Sequence, residues 1–226
     1  FQKLLKKLEQ KEPKLIIQVL NSASKRWNLE PDERDYTTGI SVCGRQKLWQ
    51  HACWLLESLS RAQLPLDVFA YSATISACAK AGRWEEAVSL LHQMSREKIN
   101  PNVISFNATI SACEKGGQLQ GALSLLEQMY EAYLRPDVFS YSAAISACQK
   151  GSEWEQALSL FGAMSSAEVT PNVFSYASAI SACEKCGQWQ RGLGLFEAMP
   201  KAKVHQNLIS YSAAISACEK GGKWKQ

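Results

Sequence analysis

The sequence predicts an all-α fold, a right-handed superhelical solenoid of 35-residue helix-turn-helix repeats, and two observations carry that expectation. The first is an unbroken period. Cys43, Cys78, Cys113, Cys148, Cys183 and Cys218 stand 35 residues apart. Trp49, Trp84, Leu119, Trp154, Trp189 and Trp224 keep the same spacing, as do Tyr36, Tyr71, Phe106, Tyr141, Tyr176 and Tyr211. Three columns in one register exclude chance, and a fixed period in this range marks a stacked array. The second observation is helical periodicity inside each unit, where apolar residues recur on one face.

Taken in order, residues 1–32 end in Glu30-Pro31-Asp32, which matches the unit ends Asn100-Pro101-Asn102 and Arg135-Pro136-Asp137. They read as an N-terminal helical cap or a degenerate repeat. Five complete repeats follow at 33–67, 68–102, 103–137, 138–172 and 173–207, and residues 208–226 open a sixth.

Within a unit, Tyr141, Ile145 and Cys148 fall at i, i+4 and i+7 and define a first helix. Ser140 precedes that stripe, as do Ser105, Ser175 and Ser210, and a hydroxyl there is expected to cap the helix. Ala81-Gly82, Gly116-Gly117, Gly151-Ser152 and Cys186-Gly187 supply the left-handed or flexible positions that end it. Trp154, Ala157, Leu158, Phe161 and Met164 form the stripe of a second helix, and a segment with Pro171 closes the unit. One such hairpin cannot bury both stripes, so neighbouring units must stack. The Trp column opens the second stripe and is expected in the core; its alternative role is stacking on bases.

Composition narrows the function. Apolar residues make up 46% and charged residues 20%, which is too apolar for disorder. Residues 1–32 carry seven Lys/Arg against four Asp/Glu, leaving 18 against 17 for the remainder, so the body of the chain is nearly neutral. A nucleic-acid site there must come from the placement of charge and not from its total. No apolar run approaches the ~18 residues of a membrane span, so a soluble protein is expected.

Catalysis finds little support. His51, His92 and His205 lie in no H-x-E or H-E-x-x-H pattern, so neither a catalytic residue nor a metal site is expected. Cys183-Glu184-Lys185-Cys186 is a lone C-x-x-C on a helix whose first Cys already belongs to the core column. Equivalent helices in adjacent repeats pack about 8–10 Å apart, beyond the Cα separation of ~7 Å that a disulfide tolerates. The Cys column is therefore expected to hold reduced thiols. No cofactor is implied.

A ladder of cations, Arg45, Lys80, Lys115, Lys150, Lys185 and Lys220, closes the first helices. Each cation can offset the negative end of its helix dipole. The same ladder can also follow a phosphate backbone, and both readings stay open.

The aromatic in Val103-Ile104-Ser105-Phe106-Asn107, the run from Ala122 to Met129 and the terminal Pro136-Asp137 resemble the pentatricopeptide repeat (PPR) family, over residues 33–226, about 86% of the chain. The resemblance implies that the fifth and last residues of each unit select one RNA base while the second packs between bases. The reading pairs are then Thr37 with Asp67, Ser72 with Asn102, Asn107 with Asp137, Ser142 with Asn172, and Ala177 with Asn207, and Ser212 opens a further pair. Family rules give G, A, U and A for the first four, and Ala177 leaves the fifth unassigned. The bland alternative is that these Ser, Asn and Asp residues only cap helices and form turns. Phe69, Ile104, Phe139, Phe174 and Ile209 hold the base-packing place, from which Arg34 departs.

The resemblance implies single-stranded RNA as partner, in RNA processing, stability, editing or translation in a mitochondrion or chloroplast. The alternative is a helical scaffold that holds protein partners in a large organellar complex.

Overall fold

The computed structural model describes Val19 and residues 31–220. The expected cap or degenerate repeat over 1–32 lies outside these residues apart from Val19, Pro31 and Asp32. So do the end of the sixth repeat, Trp224 included, and the side chain of Lys220.

The described residues form eleven α-helices and no strand: α1 Glu33–Arg45, α2 Trp49–Arg61, α3 Val68–Lys80, α4 Trp84–Arg96, α5 Val103–Lys115, α6 Leu119–Glu131, α7 Val138–Gly151, α8 Trp154–Ser166, α9 Val173–Lys185, α10 Trp189–Lys201 and α11 Leu208–Lys220. Odd-numbered helices open the units and even-numbered ones begin on the Trp/Leu column, in the register that the sequence predicts. None is long and apolar enough to cross a membrane.

The chain divides into two compact units, residues 1–112 and 113–226, with the boundary inside α5. In the first unit α1 packs on α2 and α3, α2 also meets α3, and α3 packs on α4. In the second, α7 packs on α6, α8 and α9, while α9 packs on α8, α10 and α11. Each hairpin thus buries what its own pair cannot. Ile40, Ile75, Ile145 and Ile180 of the first helices are fully buried, as are Met94, Met129, Met164 and Met199 of the second. Side chains of this size contribute about 1.5–3 kcal/mol each when buried.

The caps differ from expectation. Ser140 and Ser175 stand at the third helical residue, and the N-caps are Asp137 and Asn172, the last residues of the preceding units. Asp137 Oδ1 accepts from Phe139 N at 2.9 Å and Ser140 N at 3.0 Å, while Ser140 Oγ accepts from Asp137 N at 3.0 Å. This reciprocal capping box recurs between Asn102 and Ser105 and between Asn207 and Ser210. In α1 it is built from Asp32 and Asp35. The serines that sequence reasoning took for caps are therefore the returning half of the box.

Helix ends follow one scheme. Gly82, Gly117 and Gly187 take φ near +70°, and Ser152 and Lys47 adopt the same left-handed region at equivalent places. Gln63, Lys98, Tyr133, Glu168 and Lys203 repeat it after the second helices, with φ between 53° and 59°. In each case the next residue donates back across the last turn, as Leu134 N does to Met129 O at 2.8 Å. That is the Schellman arrangement, and after the second helices the residue following the left-handed one is apolar: Leu64, Ile99, Leu134, Val169 and Val204.

The Trp column also departs from expectation. Trp49, Trp84, Trp154 and Trp189 are half-buried. A side chain on the first helical residue projects at the hairpin edge and cannot reach the centre. Guanidinium groups cover two of these rings, Arg83 over Trp49 at 4.9 Å and Arg191 over Trp154 at 4.4 Å. The core beneath them is carried by Ala87, Leu91, Ala122 and Ala157 of the second helices.

Candidate nucleic-acid interface

The first helices and the residues just ahead of them carry every residue singled out for RNA. Position two of each unit falls just inside the helix start and points outward. Phe69, Ile104, Phe139, Phe174 and Ile209 are 47–68% exposed. Each large apolar side chain left in water forgoes the stabilisation of burial, and its recurrence at 35-residue intervals is a surface feature of the repeat. Arg34 is exposed as well.

In the first unit a groove of about 820 Å³ gathers the three predicted classes of residue. Asp67, Ser72 and Asn102 line it with Phe69 and Ile104, and Arg45 and Lys80 stand on its wall. Ser72 is 7% exposed and its hydroxyl has no hydrogen-bond partner. A buried unsatisfied hydroxyl costs roughly 1–3 kcal/mol, which a ligand in the groove can relieve. Thr37 is not among the lining residues; its Oγ1 donates to Arg34 O at 3.1 Å.

The last-position residues have two polar atoms, of which capping takes one. Asp67 Oδ1 accepts from Ala70 N at 2.7 Å, and Oδ1 of Asn102, Asn172 and Asn207 serves likewise. The other atom, Oδ2 in Asp and Nδ2 in Asn, plays no part in these cap bonds. The capping alternative is thus realised through Oδ1.

In the second unit the fifth-position residues vary. Ser142 Oγ lies 2.8 Å from Ser175 Oγ of the next first helix, Ala177 is buried, and Ser212 is exposed. Asn107 and Asp137, which belong to one repeat, lie on either side of the boundary at residue 112; Asn107 is half-buried, and Asp137 is an N-cap.

Arg45, Lys80, Lys115, Lys150 and Lys185 stand in the last turn of their own first helices, and two of them also reach the preceding repeat. Lys150 Nζ donates to the carbonyl of Glu114 at 3.0 Å and pairs with its carboxylate at 2.6 Å. Lys185 Nζ donates to Gln149 O at 3.0 Å. Each lysine therefore serves the C-terminal carbonyls of the preceding repeat's first helix, where the dipole is negative.

A second set of contacts between first helices escaped sequence reasoning. Ser146 Oγ donates to Glu114 Oε1 at 3.0 Å and Ser216 Oγ to Glu184 Oε1 at 2.7 Å. The signal was present: Ser41, Ser76, Ser111, Ser146, Ser181 and Ser216 form another column with the 35-residue period.

All described cysteines are free thiols. Burial pushes Cys43, Cys113 and Cys148 up to about 11. Cys183 is buried, and Cys186 donates to Ser152 O at 3.1 Å. No group of three metal-ligating side chains occurs among the described residues.

The sequence profile of the PPR repeat family matches residues 66–115, 101–150 and 136–185, and that of the single PPR repeat matches 174–204. No curated protein sequence matches the chain. Among solved structures, the pentatricopeptide repeat protein PPR10 from maize aligns at 26% identity and a TM-score of 0.66, covering 87% of this chain and 28% of that one. PPR10 in complex with an 18-nt psaJ RNA element aligns at 23% identity and a TM-score of 0.78, covering 99% and 32%. The PPR domain of Arabidopsis thaliana protein-only RNase P 1, in complex with tRNA, aligns at 14% identity and a TM-score of 0.68, covering 80% and 95%. The chain spans about a third or less of PPR10, and likenesses at 14–23% identity carry the fold alone. With profile matches that together run from residue 66 to residue 204 of 226 on stacked 35-residue helix pairs, the chain belongs to the pentatricopeptide repeat family.

Proposed function

We propose that the chain binds single-stranded RNA along its first helices, roughly one base per repeat, in organellar RNA processing, stability, editing or translation. The mitochondrion or chloroplast is its setting by family likeness, and the reading includes no reaction. The observation that carries it is the column of exposed apolar residues Phe69, Ile104, Phe139, Phe174 and Ile209, side chains of the kind that lie against base faces.

The groove of the first unit supports the same reading. It offers apolar walls for a base, a hydroxyl without a partner at Ser72, polar atoms from Asp67 and Asn102, and the cations Arg45 and Lys80 toward a phosphate. The PPR10 and RNase P 1 structures, with RNA and tRNA, add support from relatives of the same fold.

Titration with random single-stranded RNA at two salt concentrations tests the proposal. Binding should weaken as salt rises, by about 0.7 in log–log slope for each phosphate engaged. Replacing Phe69 and Ile104 together by Ser should weaken it at both concentrations. Absence of RNA binding, with these exposed residues instead required to capture a protein, would establish the scaffold.

A further inference from the structure

A second chemistry lies away from the RNA face, between α2 and α3. Cys53 Sγ stands 3.9 Å from Cys78 Sγ, and either thiol can donate to the other. Cys78 belongs to the buried column, but Cys53 does not. The same place in the later units holds Val88, Leu123, Leu158 and Leu193, so a thiol replaces an aliphatic side chain in this repeat. The spacing that keeps column cysteines apart does not govern this pair, because one member sits on a second helix.

The two sulfurs differ in access. Cys78 is fully buried, while Cys53 is half-buried and lines a cleft of about 260 Å³ with Glu57, Tyr71, Leu90 and Gln93. A molecule the size of water occupies ~30 Å³, so a small oxidant fits. Closing 3.9 Å to the ~2.05 Å of a disulfide takes about 1.9 Å of sulfur movement, within reach of side-chain rotation with a small helix adjustment.

We propose that Cys53 and Cys78 form a reversible oxidation site for hydrogen peroxide, whose product is a disulfide tying α2 to α3. The Cys53 thiolate attacks one peroxide oxygen and the O–O bond breaks, leaving Cys53 as a sulfenic acid and releasing hydroxide, which takes up the thiol proton as water. The Cys78 sulfur then attacks the Cys53 sulfur, the S–O bond breaks, and the second oxygen leaves as water with the Cys78 proton. Two thiols lose two electrons and peroxide becomes two waters.

The order of attack follows from the pair itself. The hydrogen bond from Cys78 lowers the pKa of Cys53, and the same contact, with burial, raises that of Cys78. The more accessible sulfur is therefore also the readier nucleophile. The bond would restrain α3, whose Phe69 and Ser72 line the groove described above.

The test uses the full chain, reduced and then exposed to hydrogen peroxide under native conditions, with thiol titration and peptide mass mapping without reductant. The expected result is a linked Cys53–Cys78 peptide and a fall of two from eight thiols, both reversed by a dithiol. Cys53→Val, which installs the residue that the next repeat uses at Val88, should fold and lose neither thiol nor mass on the same timescale. The proposal is overturned by overoxidation of Cys53 without a linked peptide, by another cysteine pair linking first, or by equal thiol loss in Cys53→Val.

Discussion

Asp67 is both a helix cap and a candidate base reader, and two substitutions separate the roles. Its Oδ1 accepts from Ala70 N at 2.7 Å and fixes the first turn of α3, while the residue also lines the groove. Asp67→Ala removes the cap, which costs about 1 kcal/mol within a usual range of 0.5–2. Asp67→Asn keeps an oxygen for the cap and forfeits only the charge at the helix N-terminus, about 0.3–0.5 kcal/mol. In a chain of this size 1 kcal/mol shifts the melting midpoint by about 2–4 °C. Asp67→Ala should therefore melt measurably lower than Asp67→Asn, which should stay close to wild type.

RNA binding should rank the variants differently. In Asp67 the atom outside the cap is an acceptor, suited to the N1–H and amino donors of guanine. In Asn it becomes a donor, suited to N1 of adenine. Asp67→Asn should move one base preference from G toward A by about 1 kcal/mol, or roughly fivefold in relative affinity. Thermal denaturation and competition binding with oligonucleotides that differ at one base measure the two effects. Equal destabilisation by Ala and Asn would refute the cap, and an unchanged G preference in Asp67→Asn would refute the reader.

Three further outcomes are expected. Tyr133→Gly should raise stability by about 0.5–1 kcal/mol in urea denaturation, because Tyr133 is 96% exposed with φ at 56°, and left-handed backbone costs an L-residue about 1–2 kcal/mol before the entropy of Gly is set against it. Trp154→Ala should cost about 2 kcal/mol, below the ~3–5 kcal/mol of a fully buried aromatic, since the ring is half-buried beneath Arg191; a loss above about 4 kcal/mol would contradict its edge position. Lys80→Ala should flatten the salt dependence of RNA binding by about 0.7 in log–log slope, the share of one phosphate, whereas Lys150→Ala should chiefly lower stability, because Lys150 holds Glu114.

The register of the helices was legible because each column serves one geometric task in every unit. Tyr141, Ile145 and Cys148 could be placed on one face from spacing alone. What sequence reasoning missed has local causes. It set the cap three residues late because Ser and Asx are both good caps, and only the backbone shows which of them precedes the first turn. It overrated the Trp column because a stripe gives the direction of a side chain and not its depth. Left-handed Lys98 and Tyr133 carry no glycine to mark them, and their φ follows from the Schellman turn that seats Ile99 and Leu134. Cys53 was passed over because it interrupts a column instead of forming one.

Capping alone does not explain the residues that end the units. Ser caps helices about as well as Asp and Asn, and Thr and Gly are tolerable substitutes. Yet the six positions hold Asp32, Asp67, Asn102, Asp137, Asn172 and Asn207, without a hydroxyl or a glycine among them. The property that Asp and Asn share, and Ser lacks, is a planar terminus with a second polar atom once Oδ1 has taken the backbone N–H. That atom is an acceptor in one residue and a donor in the other, on a scaffold of nearly the same shape. A column limited to these two residues keeps the helix start constant while the polarity beside it changes. Stability then places few limits on the choice at each repeat, so the alternation of Asp and Asn is available to record a sequence of bases.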